Sequence, residues 1–116
     1  SYSSLNGSVI DIYTRKYRCG GGGSGGFSGP AFKPVGLLMC RRAVAAVDIP
    51  VIGIGGISCA EDVIEYIMAG AYAVQVGSAN LSRPDFMPRL INDLKNLMQK
   101  LGINSFEEIR GTAQVE

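Results

Sequence analysis

The chain has no histidine and no tryptophan among its 116 residues. Without histidine the commonest general base is missing, and with it every Ser-His or Cys-His nucleophile system. Three cysteines, Cys19, Cys40 and Cys59, make an odd number with no Cys-x-x-Cys spacing. A zinc site therefore lacks its usual donors. Buried or incidental free thiols in a reducing compartment are the reading this pattern favours. Charge of either sign is scarce in excess: 11 Lys and Arg oppose 10 Asp and Glu, for a net charge of +1. That balance gives no reason to expect nucleic acid. The short basic cluster Arg15-Lys16-Tyr17-Arg18 reads as a solvated turn. No apolar run approaches the roughly 20 residues needed to cross a bilayer, so no membrane span is expected. Residues 1–7 have neither the basic start nor the apolar middle of a signal peptide.

Glycine is abundant, with 16 residues, and the hydrophobic share of 47% suits a packed α/β core in one small domain. The most informative glycines close two short apolar β-type runs. Val51-Ile-Gly-Ile-Gly-Gly-Ile57 and Ala73-Val-Gln-Val-Gly-Ser78 each lead into a helical pattern. Two consecutive strand–glycine–helix junctions can aim backbone N–H groups and helix N-termini at one anion. A phosphate held between the last two strand–helix loops is a recurrent arrangement in (β/α)₈ barrels. A tight turn without a ligand is the plainer reading of Gly55 and Gly56. A dinucleotide fingerprint fits poorly, because Gly-x-Gly-x-x-Gly from Gly53 needs glycine at position 58, which is serine.

Residues 8–12 read as a short strand. The stretch Cys19–Pro30 is glycine-rich, and either a flexible linker or a loop closing over a ligand accounts for it. Lys33-Pro34 suits a helix start, and the helix should run to about Val47 with Val35, Leu38, Val44 and Val47 facing inward. Asp48-Ile49-Pro50 resets the chain, and Val51–Ile54 should be a parallel strand covered on both faces. Ser58 and Glu61 have capping-box spacing for a helix that buries Val63, Ile64, Ile67 and Met68 and ends at Gly70. Ala73–Val76 is the next strand. Pro84 to about Lys100 is a helix with Phe86, Leu90, Ile91, Leu94, Leu97 and Met98 on one stripe. A last short helix should start at Ser105, with Glu108 three residues on.

This alternation implies βαβ units and a parallel sheet. Three strands cannot close a barrel, and Ser1 opens almost directly into a strand. The expectation is an α/β chain whose residues 1–116 form the C-terminal part, about three βα units, of a (β/α)₈ TIM barrel.

Gly25-Gly-Phe-Ser-Gly-Pro-Ala-Phe-Lys-Pro34, Ile52-Gly-Ile-Gly-Gly-Ile57 and Val74-Gln-Val-Gly-Ser-Ala-Asn80, together with Gly7–Ile12, closely resemble the dihydroorotate dehydrogenases. The likeness is greatest to class 1B, where Ser-Gly-Pro-Ala-x-Lys-Pro is typical. It implies an FMN barrel that oxidises dihydroorotate to orotate in pyrimidine biosynthesis, in the cytoplasm. On that resemblance Gly29, Gly55, Gly56, Gly77 and Ser78 would contact the flavin, Ser78 keeping the hydroxyl of the usual threonine. Ser3 and Ser4 would stand where the family has an Asn-Thr pair that binds the orotate ring. The glycine loop is about one residue longer than usual, and Tyr17 replaces a common proline. Class 1 enzymes take their base from a cysteine in the preceding half of the barrel, so no catalytic residue is assigned to this chain. The resemblance also implies a homodimer joined to an iron–sulfur, FAD-containing subunit that passes electrons to NAD. Two alternatives stand beside it: the related FMN domain of dihydropyrimidine dehydrogenase, and a non-catalytic barrel fragment.

Overall fold

Extended apolar runs that end in glycine, followed by stretches with helical periodicity, build one βαβ unit at the centre of this chain. The computed structural model describes residues 5–115. In order these are β1 (Leu5–Gly7), β2 (Ile10–Asp11), β3 (Lys16–Tyr17), β4 (Gly25–Phe27) and a 3-10 turn at Pro30–Phe32. Then come α1 (Lys33–Ala46), β5 (Ile52–Ile54), α2 (Ala60–Met68), β6 (Ala73–Gln75), α3 (Ser78–Ser82), α4 (Phe86–Leu101) and a 3-10 turn at Phe106–Glu108. β5 and β6 pair in parallel, with Ile52 opposite Ala73 and Ile54 opposite Gln75, and α2 is the crossover between them.

The core forms around α2. Val63, Ile64, Tyr66 and Ile67 are buried there, with Cys40 of α1 and Phe86 and Leu90 of α4 packed into the same cluster. Gly70 ends α2 at φ 108°, a conformation that favours glycine. Its N–H donates to the Ile67 carbonyl (2.9 Å) while that of Ala71 donates to Tyr66 (3.0 Å), which satisfies the carbonyls at the helix end.

Several expectations are corrected. Residues 8–12 are not one strand: only Ile10 and Asp11 among them are extended, as β2, which pairs antiparallel with β3, while β1 ends just before them at Gly7 and pairs antiparallel with β4. Asp11 sets where β2 ends, because its Oδ1 accepts from the N–H groups of Tyr13 (2.9 Å) and Thr14 (3.1 Å) and folds the chain back toward β3. Two parallel strands are therefore present among the described residues, not three. The glycine stretch is not a free linker. It turns at Gly22 and Gly23, both at positive φ, and is tied back where Ser8 Oγ donates to the Gly23 carbonyl (2.6 Å).

In α1, Leu38 and Val47 are exposed, and Gly36 and Cys40 face the core instead. Gly36 lets α1 approach β5 and Tyr66 more closely than a side chain would allow. Ile91 of α4 is also exposed, because α4 packs on α2 and α3 through one narrow stripe. Among the described residues, none from 5 to 31 is buried. The radius of gyration of 16.6 Å exceeds the about 13 Å expected of a compact chain of this length. The double hairpin standing off the core accounts for the excess.

Candidate functional site

Because β5 and β6 are parallel neighbours, the turns that follow them emerge at the same end of the sheet. Gly55 and Gly56 follow β5, and Gly77 and Ser78 follow β6. They line a cleft of about 270 Å³, with Gly26 and Ser28 from the glycine-rich segment on its other side. A second cleft, of about 400 Å³, is lined by Gly29, Ser58, Ser78, Ser82 and Arg83, and shares Ile57 and Ser78 with the first. All five residues expected to contact a cofactor, Gly29, Gly55, Gly56, Gly77 and Ser78, therefore meet on two adjoining clefts. Ser3 and Ser4, the expected ring-binding pair, lie outside the described residues.

The glycines serve different ends. At Gly55 (φ 129°) an added Cβ would lie 2.6 Å from the Phe32 ring, and at Gly56 (φ 70°) 2.5 Å from the Lys33 nitrogen and 2.8 Å from the Gly29 carbonyl oxygen. These two let the Pro30–Lys33 segment lie directly on the turn after β5. At Gly29 and Gly77 an added Cβ would meet nothing within 4 Å among the described residues. Open space at these two positions is what a bound group needs for close approach to backbone N–H.

Lys33 locks that contact. Its Nζ reaches Asp62 (2.6 Å) and Glu65 (2.9 Å) on α2. Asp62 Oδ2 in turn accepts from the N–H groups of Ser58 (2.8 Å) and Cys59 (3.2 Å) and from Ser58 Oγ (3.1 Å). The start of α2 is thus one residue later than the Ser58–Glu61 spacing suggested, with Cys59 at the N-cap and Asp62 reaching back. Burial would push the Asp62 carboxyl up, but the Lys33 ammonium and the Ser58 and Cys59 donors outweigh it and hold the carboxyl below its ordinary value. Hydrogen bonds to Asp62 and Glu65 raise Lys33 well above its ordinary value. The positive end of the α2 dipole is therefore engaged by the chain's own carboxylate. At the start of the short helix α3 the N–H of Asn80 donates to the Gly77 carbonyl (3.0 Å), and the N–H groups of Ser78 and Ala79 come before that first bond.

Tyr66 was not singled out by its sequence context, yet it sets the shape of the turn. It is fully buried and donates its hydroxyl proton to the Gly55 carbonyl (2.8 Å). Burial pushes its pKa up to about 12, which keeps it a neutral donor. The cysteines stand apart: none lines either cleft. Burial raises the thiols of Cys40 and Cys59 above their ordinary value, so neither is a ready thiolate. Among the described residues no group of His, Cys, Asp or Glu could hold a metal ion, and no helix is long and apolar enough to cross a membrane.

The sequence profile of the family described as Dihydroorotate dehydrogenase matches residues 1–98, a stretch that contains both glycine junctions. The chain belongs to the dihydroorotate dehydrogenase family. It is 48% identical over 113 residues to the "Dihydroorotate dehydrogenase B (NAD(+)), catalytic subunit" of Solidesulfovibrio magneticus, covering 97% of this chain and 37% of that protein. The protein of the same name from Listeria monocytogenes is 44% identical over 108 residues, covering 93% of this chain and 35% of the relative. That of Petrotoga mobilis is 52% identical over 86 residues, covering 74% and 29%. The chain thus spans about a third of the length of the curated relatives it matches. The residues that the sequence did not single out are Asp62, Tyr66 and Arg83, and the short helix α3, which begins inside the Val74–Asn80 motif, was not read as a helix. Helix α3 is too brief to show a helical period, and its one signal is Asn80, whose Nδ2 donates back to the Val76 carbonyl (3.0 Å).

Proposed function

We propose that residues 1–116 are the C-terminal portion of the FMN-binding (β/α)₈ barrel of a dihydroorotate dehydrogenase, with β5 and β6 as its last two strands. The reaction is oxidation of dihydroorotate to orotate in pyrimidine biosynthesis. The observation that carries this reading is the pair of neighbouring strand–glycine turns opening on joined clefts. A short helix starts at the second turn, an arrangement that recurs as the phosphate site of such barrels. The residues fit a phosphate-bearing flavin: among the described residues Gly29 and Gly77 leave open space beside their backbone, no carboxylate lines either cleft, and Arg83 lines the larger. Bound FMN would supply the hydride acceptor for this oxidation.

The work of this chain is positioning. Gly77 and Ser78 hold the phosphate end through backbone N–H groups and the Ser78 hydroxyl. Gly29, Gly55 and Gly56 bring the Pro30–Lys33 segment against that site. Ser3 and Ser4 are assigned to the pyrimidine ring. There a serine at position 3 offers less than the paired donor and acceptor of an asparagine amide. The names of the relatives support a catalytic subunit that works with a partner, which we take to be an iron–sulfur, FAD-containing subunit delivering electrons to NAD from a homodimeric core. Three unpaired cysteines support a cytoplasmic setting.

The test is anaerobic reduction of the full-length flavoprotein. Dihydroorotate should bleach the flavin absorbance and dihydropyrimidines should not. Bleaching by dihydropyrimidines alone would move the assignment to the related pyrimidine-reducing domain. A colourless, folded full-length protein would leave a non-catalytic barrel.

A further inference from the structure

We infer that Arg83, on the larger cleft, is the side chain that neutralises a phosphate monoester held where the two clefts meet at Ser78, a charge contact added to the backbone cradle. This deepens the flavin reading above and rests on it. Three other cations are already engaged. Lys33 is held by two carboxylates on α2, Arg110 faces Glu107, and Arg89 is paired with Asp85. The pair at Asp85 matters, because that carboxylate stands two residues from Arg83 and is taken. Arg83 lines the 400 Å³ cleft beside Gly29, Ser58, Ser78 and Ser82, and no other lysine or arginine lines either cleft. No described carboxylate forms an ion pair with it.

The backbone fixes where this guanidinium starts. Pro84 confines the residue before it to extended geometry, and Arg83 has φ −141° and ψ 106°. Its N–H donates to the Ala79 carbonyl (3.2 Å) and its carbonyl accepts from Phe86 N–H (3.0 Å), so it is tied to α3 on one side and α4 on the other. A planar guanidinium is suited to paired hydrogen bonds with phosphate oxygens. The need is physical as well. The α2 N-terminus is engaged by Asp62, which leaves a phosphate dianion with dipoles alone unless a cation reaches it.

The experiment uses the full-length protein, freed of flavin and titrated with FMN, with riboflavin and with inorganic phosphate as competitor. Wild type should prefer FMN to riboflavin. Arg83→Gln should bind FMN about tenfold to a hundredfold more weakly, the range of a charge-assisted hydrogen bond, with riboflavin affinity unchanged. Arg83→Lys should restore part of the loss, and inorganic phosphate should compete with FMN in wild type better than in Arg83→Gln. If wild type prefers FMN and Arg83→Gln keeps that whole preference, the role of Arg83 is refuted while the flavin reading stands. An equal loss for FMN and riboflavin would make Arg83 a structural residue and also refute it. If wild type shows no preference for FMN, the phosphate reading itself falls.

Discussion

Gly56→Val and Gly77→Val should damage this protein in two different ways. At Gly56 the new Cβ would sit at φ 70°, 2.5 Å from the Lys33 nitrogen and 2.8 Å from the Gly29 carbonyl oxygen. Both neighbours are backbone atoms and cannot swing aside. A left-handed conformation costs a residue with a Cβ about 1–2 kcal/mol, and overpacking adds about 1–3 kcal/mol. The sum, about 2–5 kcal/mol, is a large part of the roughly 5–15 kcal/mol that keeps a domain folded. At Gly77 the Cβ meets no described atom within 4 Å, so the stability change should stay within roughly 0.5 kcal/mol. The valine methyls would instead occupy the space where a phosphate approaches the backbone. Loss of one such polar contact is worth about 1–3 kcal/mol, so flavin affinity should fall about tenfold or more. The assay is denaturant unfolding of the flavin-free full-length variants, followed by flavin titration. Gly56→Val should unfold early; Gly77→Val should unfold like wild type and fail to retain flavin. A folded Gly77→Val protein that keeps stoichiometric flavin would refute the reasoning.

Three further outcomes follow from the same geometry. Asp62→Asn should destabilise the full-length protein by about 2–3 kcal/mol, below the usual figure for a broken buried pair because Lys33 retains 23% side-chain exposure; an unfolding midpoint equal to wild type would contradict this. The Asp62 carboxyl lies below its ordinary 3.8 when folded, so its contribution is present above pH 3.8 and lost as pH falls through the folded value. Lys33 lies above its ordinary 10.5, so its contribution is present below pH 10.5 and lost as pH rises through the higher folded value. The difference in stability between wild type and Asp62→Asn should therefore shrink in acid, and a pH-independent difference would count against the pair. Tyr66→Phe removes the hydrogen bond to the Gly55 carbonyl and should cost about 1 kcal/mol, seen as a lower unfolding midpoint with the dihydroorotate KM unchanged. Residues 1–116 expressed alone should lack dehydrogenase activity and self-associate, because Val9, Ile10, Ile12 and Ile52 are exposed; a monodisperse, active preparation would overturn that expectation.

The parts of the structure legible in the sequence were those with a long period or an unambiguous end. Helix α1 begins at Lys33-Pro34, α2 carries the Val63–Ile67 stripe to Gly70, and β5 and β6 stop at their glycines, all near the expected places. The two glycine junctions were visible because a strand run, a glycine pair and a helical stripe follow in fixed order. What was not legible depended on contacts across the chain. Asp11 is the last residue of β2, and only its carboxylate, accepting two N–H groups of the following turn, shows why the strand stops there. Tyr66 lies outside the apolar stripe read on α2, yet its hydroxyl holds the turn that follows β5. The spacing in sequence pointed to Ser58 and Glu61 for the cap, whereas Asp62 reaches back instead and is held by Lys33, 29 residues away. Leu38 and Ile91 obey helical spacing yet face outward, since periodicity names a face and not its partner.

The central claim is that the turns after β5 and β6 hold the phosphate end of FMN. A crystal structure of the full-length protein with its flavin tests it most directly. The account predicts phosphate oxygens within hydrogen-bond distance of the backbone N–H groups of Gly77 and Ser78, with Gly29 and Gly56 bordering the same site. A flavin phosphate bound elsewhere, with these two clefts filled by other side chains of the barrel, would contradict it.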